Sequence, residues 1–370
     1  MTLDPAALER VVALADFEPL ARAAMDPAAY DYVAGGAWDE LTLADNEAAW
    51  RRYRLRPRVL VDVSEVDTAT TLLGASVSMP VAIAPMATQS LAHPDAESAM
   101  ARAAATAGIP MILSTTSSHS IEAVAAAAPE AIRWFQLYVQ ADMGVSRSLV
   151  ERAAASGYGA VVVTVDLPVL GYRDRDRRSG FELPPLGNFV ETAATHGSHV
   201  PDGRSSGFDR LADTMSTSLT WASLAAIRSW SPLPLVLKGI LAADDARLAV
   251  DHGVDGIVVS NHGARQLDRV EASADALAAI VAAVDGATEV WVDGGVRRGL
   301  DVVIALALGA RGVLLGRPAY WALAAAGPAG VARALTVLRE EIEVALALLG
   351  TPTPRDVLPT HVVAPGPTAR

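Results

Sequence analysis

The stretch VVSNHGARQLD, residues 258–268, joins an apolar run to a cluster of polar side chains. Its first residues are β-branched and predict the end of a buried strand. An imidazole, His262, and a guanidinium, Arg265, follow within a few residues, although the chain holds only seven histidines. Catalytic and binding side chains commonly lie on loops that a rigid scaffold positions. This stretch therefore predicts a strand whose end carries functional groups.

The same pattern of an apolar run followed by polar residues recurs along the chain, with Ala-rich helical stretches between the runs. Several of these helical stretches end at a glycine, which is typical of a helix C-terminus. Alternating strands and helices indicate a parallel sheet, and an open doubly wound sheet usually has fewer strands than this. This pattern therefore predicts an α/β fold, and specifically a (β/α)8 TIM barrel. The strand runs are PVAIAP, IPMILS, IRWFQLY, AVVVTVD, LPLVLK, DGIVVS, EVWVD and GVLLG.

A barrel collects its functional residues at the C-terminal ends of its strands, because those ends and the following loops form one face. Nearly every predicted strand ends in a hydrogen-bonding or charged group, or in Gly or Pro, which stability alone does not explain. The residues at these ends are Pro85, Ser114, Gln136, Tyr138, Thr164, Asp166, Lys238, Ser260, His262, Asp293, Gly316 and Arg317.

The chain is expected to form a single domain in three parts. Residues 1–78 form an N-terminal helical extension, which begins with one helix and includes a helix that stops at Gly35 and Gly36 and then restarts. Residues 79–325 form the barrel, and residues 326–370 form a C-terminal helix and tail. After strand 4 a Gly-, Pro- and Ser-rich segment, about residues 172–220, is too long for a simple connection and predicts a lid over the active face. The alternative is a surface insertion without a role.

Composition limits the choice of function. Of the 370 residues 51% are hydrophobic, which predicts a large core, and the net charge of −12 argues against nucleic acid or an anionic membrane as a partner. The absence of cysteine excludes disulfides and a Cys nucleophile, and no metal site is expected. The opening residues lack a signal-peptide pattern and the late apolar stretch PAYWALAAAGPAGVARAL is interrupted by Gly and Pro. We expect a soluble, cytoplasmic protein.

Two glycine-rich stretches, WVDGGVRRG and LLGRPAYW, follow strands 7 and 8. Those positions form the usual phosphate site of this fold, with backbone N–H groups and a helix N-terminus directed at the anion. Glycines permit close approach of the backbone, two arginines supply charge, and Asp293 is placed to accept hydrogen bonds from ligand hydroxyls. The alternative is two ordinary turns with solvated arginines. The predicted phosphate-site residues are Gly294, Gly295, Arg297, Gly316 and Arg317.

A phosphate site leaves open what carries the phosphate. Lys238, Gln136, Thr164 and Ser114 end other strands and are suited to a flat, heteroatom-rich ring above the mouth of the barrel. Flavin mononucleotide (FMN) has this shape, with a phosphate at one edge and an isoalloxazine ring across the centre.

Six motifs in order, SNHGARQLD, YDYVAGGA, FQLYV, TVD.P..G.R..D.R..F, VLKGI and DGGVR.G.D, resemble the FMN-dependent 2-hydroxy acid oxidase and dehydrogenase family. That family includes glycolate, lactate and mandelate-oxidising enzymes. The resemblance runs from about Ala28 to the last helix. It implies that FMN is the cofactor and that a 2-hydroxy acid is the substrate.

The resemblance also implies roles for individual residues. His262 would be the catalytic base with Asp166 as its partner, and Tyr138 would meet the substrate hydroxyl. Arg265, Tyr32 and Arg173 would bind the substrate carboxylate. The residues implied to surround the flavin ring and its side chain are Pro85, Met86, Ala87, Ser114, Gln136, Thr164, Lys238 and Ser260.

This chemistry is reasonable from the residues themselves. A guanidinium binds a carboxylate through two hydrogen bonds, and an imidazole has a pKa near the operating pH of a general base. Simpler interpretations remain for each residue. His262 could make a structural hydrogen bond in a loop, Tyr32 could belong to the core, Arg173 could lie in a solvated charge run, and Asp166 could cap the following segment.

A small residue, Thr116, follows strand 2 where some family members carry a bulky aromatic residue, so we expect a medium or aromatic L-2-hydroxy acid as substrate. The first expectation for the oxidant is O2, which would yield hydrogen peroxide, and a homo-oligomer, tetramer or octamer, is implied by the family. The alternatives are a dehydrogenase that passes electrons to a quinone or protein, another FMN- or phosphate-binding barrel enzyme, and a barrel that binds a phosphorylated ligand without turnover.

Overall fold

The computed structural model describes residues 5–189 and 214–364. Eight parallel strands form a closed barrel in which each strand pairs with the next along the chain and the last pairs with the first, so the predicted (β/α)8 barrel is confirmed. Each strand matches one of the apolar runs named above. The strands are β1 Val81–Ile83, β2 Met111–Leu113, β3 Arg133–Leu137, β4 Val161–Thr164, β5 Leu235–Ile240, β6 Gly256–Val259, β7 Glu289–Val292 and β8 Gly312–Leu315.

The inside of the barrel is filled in layers. A lower, apolar layer contains Trp134 and Trp291, whose ring centroids are 5.5 Å apart. Gly256 makes room for this pair, because a Cβ at that position would overlap the Trp291 ring. Side chains two residues apart on a strand share a face. Gln136 and Asp293 come two residues after these tryptophans, so they lie above the apolar layer at the mouth.

Helices surround the barrel and precede it. Two loops matter for the site: loop 6, residues 260–272, and loop 7, residues 293–298. The helices are α1 Pro5–Glu9, α2 Phe17–Ala24, α3 Pro27–Ala34, α4 Leu41–Arg52, α5 Ala96–Ala107, α6 Ile121–Ala127, α7 Met143–Ala155, α8 Asp174–Ser179, α9 Ser223–Ser229, α10 Ala243–Asp251, α11 Ser273–Val284, α12 Gly299–Ala307 and α13 Arg317–Leu349. Short antiparallel pairs join Arg54–Leu55 to Val362–Val363 and Thr70–Leu72 to Ala75–Val77.

The start of the chain differs from the single helix expected there. Helix α1 ends at Glu9 and α2 begins at Phe17. Between them the Asp16 carboxylate accepts hydrogen bonds from the backbone N–H groups of Val12 and Ala13, at 3.0 and 2.9 Å. A side chain that binds backbone donors in this way competes with helix formation. The stop after Ala34 and the restart at Leu41 agree with the expectation from Gly35 and Gly36.

The last helix, α13, is irregular at Ala326 and Gly327, where the backbone leaves helical geometry just before Pro328. Among the described residues it is the one helix that is long and apolar enough to cross a membrane, but 72% of its most apolar window is buried inside the protein. A helix that is apolar on all sides and packed into a fold has the character of a core helix.

The segment predicted as a lid, about residues 172–220, is only partly described. It contains α8 and a turn of 3-10 helix at Gly187–Phe189. Residues 190–213 lie outside the described residues. On the far side, Met215 forms an isolated antiparallel bridge with Gln140, just after β3. The described ends of this segment therefore lie against the mouth of the barrel.

Candidate active site

A cavity of about 1070 Å³, which includes space open to solvent, lies between the C-terminal ends of the strands and helix α3. Of the residues proposed from the sequence, all except Ser114, Gln136, Asp166 and Ser260 line it. The proposed residues that line the cavity are Tyr32, Pro85, Met86, Ala87, Tyr138, Thr164, Arg173, Lys238, His262, Arg265, Asp293, Gly294, Gly295, Arg297, Gly316 and Arg317.

The four remaining candidates lie directly behind the wall and hold lining residues in place. Gln136 donates to the Thr164 hydroxyl at 3.0 Å and accepts from Ser114 Oγ at 3.1 Å. Ser260 Oγ accepts from Lys238 Nζ at 2.8 Å, and Asp166 contacts His262. In this structure these side chains support the cavity wall, and the contact of Ser114, Gln136 and Ser260 with the flavin stays a prediction.

His262 lies in a turn at the start of loop 6, with a positive φ of 61°. Its Nδ1 lies 2.9 Å from Asp166 Oδ1, and both side chains are almost buried. Burial lowers the pKa of His262 below its usual value, although Asp166 opposes this shift. Burial alone would raise the pKa of Asp166, but His262 and Lys238 outweigh it and the net shift is downward. A neutral imidazole beside an ionised carboxylate is the arrangement required of a general base.

The other imidazole nitrogen, Nε2, faces the phenol of Tyr138 at 3.2 Å. Burial, followed by the charge of Asp166, raises the pKa of Tyr138, so the phenol stays protonated at neutral pH. The carboxylate, imidazole and phenol therefore form one chain that ends at the cavity. The alternative in which Asp166 only caps the following segment is not what the structure shows.

Arg265 lies across the cavity floor beside helix α3. Its Nη1 donates to the backbone carbonyls of Tyr32 and Gly35, at 2.5 and 2.9 Å, and its guanidinium lies 4.8 Å from the centre of the Tyr32 ring. Tyr32 in turn stacks on Phe181, with ring centroids 4.3 Å apart. Tyr32 thus belongs both to the packed interior and to the cavity wall.

Arg173, at the start of the predicted lid, is only 5% exposed. It is therefore not part of a solvated charge run. Its Nε donates to the Arg265 carbonyl at 3.1 Å, and Asp176 lies 3.9 Å from Nη1. Burial, followed by the charge of Arg265, lowers the pKa of Arg173 to about 10, which leaves the side chain charged at neutral pH. A buried guanidinium, Arg173, and a half-buried one, Arg265, line the same cavity and favour an anionic ligand there.

Lys238 is buried at the end of β5, where its ammonium contacts Asp293 at 3.1 Å and Ser260 at 2.8 Å. The second carboxylate oxygen of Asp293, Oδ1, is buried and has no hydrogen-bond partner within the described protein. A buried carboxylate oxygen without a donor is costly. Because Asp293 lines the cavity, a ligand hydroxyl is a suitable donor.

Loop 7 and the start of α13 form another part of the cavity wall. Gly294 and Gly295 have φ of 95° and 79°, which side chains other than glycine rarely adopt. Arg317 donates to the carbonyls of Val33, Gly35 and Gly263, at 2.9, 2.9 and 3.0 Å.

These contacts refine the expected phosphate site. Burial lowers the pKa of Arg317 to about 9, and Arg297 pairs with Glu47 at 2.7 Å. Both arginines already have protein partners. They contribute positive charge near the cavity, while the backbone N–H groups of the loop and the helix N-terminus remain the natural donors to an anion.

Sequence reasoning missed several lining residues because they end no strand. Tyr320 lies on α13, where its hydroxyl donates to the Thr88 carbonyl at 2.8 Å, and Met215 lies shortly after residue 213, at the start of the second described range. Thr42, Asn46 and Trp50 of α4 also support loops 6 and 7. In the sequence, the only sign of this contact is their spacing of four residues, which places them on one face of the helix. The other lining residues not assigned to the site are Val33, Ala84, Leu167, Gly263, Val296 and Leu314.

The site as a whole combines an anion end, a polar centre and a base beside two guanidiniums. The model of the family described as FMN-dependent dehydrogenase matches residues 21–364, so the chain belongs to that family.

Individual relatives agree with this assignment. The chain is 49% identical to an L-lactate oxidase of Nostoc sp., over 95% of this chain and 98% of the relative. It is 44% identical to the glycolate oxidase of Spinacia oleracea, over 96% and 97% of the two chains. Among solved structures, mandelate oxidase with (S)-4-hydroxymandelic acid has a TM-score of 0.88 and 44% identity, over 95% of this chain and 98% of that one.

FMN, the cofactor of this family, fits the residues present. The unpartnered Asp293 oxygen suits a sugar-alcohol hydroxyl, and the positive-φ glycines suit a phosphate that must approach the backbone. The positive charge of Lys238 suits an edge of the flavin ring, because that ring gains negative charge on reduction.

Proposed function

We propose that this protein oxidises an L-2-hydroxy acid to the 2-oxo acid and passes the two electrons to O2, which becomes hydrogen peroxide. The reaction balances as hydroxy acid plus O2 giving oxo acid plus H2O2. One observation carries the proposal: the His262–Asp166 pair, the Tyr138 phenol and the guanidiniums of Arg173 and Arg265 converge on one cavity.

The two guanidiniums bind the substrate carboxylate in this proposal. Arg265 is fixed by the carbonyls of Tyr32 in α3 and of Gly35 just after it, and Arg173 is fixed by the Arg265 carbonyl, so neither has to be ordered when substrate arrives. Groups that are already in position reduce the entropic cost of binding. The fixed carboxylate then holds the reacting carbon near the imidazole.

The proton chemistry belongs to His262. Its neutral Nε2 accepts a proton from the substrate, and Asp166 stabilises the imidazolium that results. The Tyr138 phenol donates a hydrogen bond to the substrate oxygen, since burial keeps it protonated. Bound FMN supplies the acceptor for the electron pair. The buried Lys238 ammonium places a positive charge beside Ser260 and Asp293 at the mouth of the barrel.

We propose a medium or aromatic side chain on the substrate. Thr116, Leu167 and Met215 line the same cavity as Tyr138 and contribute small or flexible groups. A pocket of this kind accepts more than a glycolate-sized group. The mandelate oxidase structure with (S)-4-hydroxymandelic acid supports the same size range.

We also propose that the chain forms a homo-oligomer, a tetramer or octamer. Arg58 N donates to the Leu349 carbonyl at 2.9 Å, so the loop that carries Leu60 lies beside the end of α13. Leu60 is 103% exposed and Leu348 is 73% exposed. Large exposed apolar side chains grouped together are typical of protein–protein contacts. Light scattering of the wild type and of Leu60→Lys tests this, and a monomeric wild type contradicts it.

Oxygen uptake and peroxide formation test the function. Purified, FMN-loaded protein is mixed with lactate, mandelate and glycolate, each as both enantiomers where these exist. We expect oxygen uptake with the L-acids, an equal amount of peroxide, and higher kcat/KM for mandelate or lactate than for glycolate. Turnover that requires a quinone or another acceptor, with no peroxide, would reject the oxidase assignment.

A further inference from the structure

Helix α4 presents three buried residues at a spacing of four: Thr42, Asn46 and Trp50. Residues four apart lie on the same face of a helix. This face does not line the active cavity, yet it contacts both loop 6 and loop 7. The backbone N–H of Thr42 donates to Asp268, in loop 6, at 2.8 Å.

Asn46 makes the central contact to loop 6. Its side-chain amide forms two hydrogen bonds with the amide of Asn261, at 2.9 and 2.7 Å. Asn261 directly precedes His262, and its Oδ1 also accepts from the Ala264 N–H at 3.1 Å. The Asn46–Asn261 pair therefore supports the turn that carries His262 and leads into Arg265.

The same residue contacts loop 7 through its backbone. Gly295 packs so closely on α4 that a Cβ there would overlap the Asn46 carbonyl oxygen. One turn further along α4, Trp50 Nε1 donates to the Gly294 carbonyl at 2.8 Å. The glycines at the anion end thus lie directly against the residue that holds the catalytic turn.

We propose that Asn46 is a positioning residue that couples occupancy of the phosphate end of the cavity to the geometry of the His262–Arg265 turn. A phosphate on loop 7 fixes Gly294 and Gly295 against α4, and the paired amides carry this order to loop 6. The inference rests on the proposed function in one respect, the binding of a carboxylate by Arg265 and Arg173.

A buried amide pair is suited to such coupling. If either loop shifts, amide donors and acceptors that are almost fully buried lose their partners, which is costly. Coupling between two ligands is reciprocal, so the phosphate strengthens carboxylate binding as much as the carboxylate strengthens phosphate binding. Removing one amide should uncouple the two ends without removing any group that touches either ligand.

The test compares the protein loaded with FMN and with riboflavin, which lacks the phosphate. The probe is 2-hydroxy-2-methylpropanoate, which has no α-hydrogen and cannot be oxidised, and its Kd is measured from the change in flavin absorption. In the wild type we expect the FMN form to bind the probe about fivefold more tightly than the riboflavin form. In Asn46→Ala the ratio of the two Kd values should fall to about one.

Two further variants complete the test. Asn46→Ser keeps a small polar group and adds no buried charge, so it should fold if Asn46→Ala does not, and a ratio of about twofold or less is expected. Trp50→Phe loses only the hydrogen bond to Gly294, so it should bind FMN more weakly while the probe ratio stays at the wild-type value.

A wild-type ratio of one, or a wild-type ratio retained in both Asn46 variants, overturns the coupling and leaves the proposed function intact. Failure of the FMN-loaded wild type to bind the probe at all overturns the carboxylate site itself, and the coupling with it. The two failures are therefore distinguishable.

Discussion

His262 is held from two sides, by Asp166 at Nδ1 and by Tyr138 at Nε2. The carboxylate favours the protonated ring, whereas burial favours the neutral ring, and burial has the larger effect on the pKa. The imidazole is therefore a base at neutral pH with its acceptor directed at the cavity. The opposing effects of burial and of the Asp166 charge on this pKa determine how activity depends on pH.

Replacing the imidazole tests its role directly. His262→Ala should retain the flavin absorption bands but lower the rate of flavin reduction by about 10²-fold or more, the usual contribution of a general base. His252→Ala is the matched control, because His252 is exposed just after the end of α10 and contacts the Leu248 carbonyl and Trp221. Equal rates in His262→Ala and the wild type would remove His262 from the mechanism.

The lowered pKa of His262 predicts the acid side of the pH profile. The base is active when neutral, so kcat/KM should stay level as pH falls and decline only below 6.5, the usual value. In Asp166→Asn the charge that raises the pKa is lost, so the decline should move to still lower pH while the plateau rate falls. A decline that moves to higher pH in Asp166→Asn would contradict this account.

Arg173 gives a prediction about substrate affinity. Arg173→Lys keeps the charge but loses the planar pair of donors, so KM for the hydroxy acid should rise about tenfold or more with the flavin spectrum unchanged. Arg178→Lys is the control, since that exposed side chain pairs with Asp174 within α8. An unchanged KM in Arg173→Lys would place Arg173 outside the binding site.

Loop 6 carries the catalytic base and loop 7 carries the glycines of the anion site. Both loops pack on one helix, α4. Loop 7 depends on two glycines with positive φ, and Gly295 also has no space for a side chain. The shape of the loop is thus fixed by contact with α4 as well as by its own turn.

Gly295→Ala should weaken FMN binding by about tenfold or more, because the new Cβ must displace loop 7 from Asn46. Gly286→Ala is a matched control. Gly286 also has a positive φ, of 74°, but a Cβ there meets nothing within 4 Å. Titration of the apoprotein with FMN measures both. Equal losses in the two variants would show that general destabilisation by a strained alanine, and not contact of loop 7 with α4, lowers FMN affinity.

The sequence was most informative about the strands and their ends. Each barrel strand is a short buried run, and the polar residue that follows it marks the functional face, so His262, Lys238 and Asp293 could be placed from the sequence. Contacts between distant segments could not be predicted, because nothing local signals them: Asn46 and Asn261 are 215 residues apart. The break after α1 was missed because Asp16 binds the backbone there.

Across the whole molecule, the charge distribution agrees with the proposed chemistry. The chain carries a net charge of −12, yet the cavity is lined by Arg173, Arg265, Lys238, Arg297 and Arg317 with Asp293 as a lining carboxylate. A positive cavity in an acidic protein favours small anions over large polyanions. A closed barrel makes this possible, since it directs side chains from all eight strands to one mouth.

Anaerobic mixing of the FMN-loaded protein with an L-2-hydroxy acid tests the central claim, that one cavity holds the base, the carboxylate site and the flavin. We predict that the flavin absorption bands bleach with the L-acid and not with the D-acid, and that they return when air is admitted. Bands that bleach with a reduced nicotinamide and are unaffected by every hydroxy acid would contradict the account.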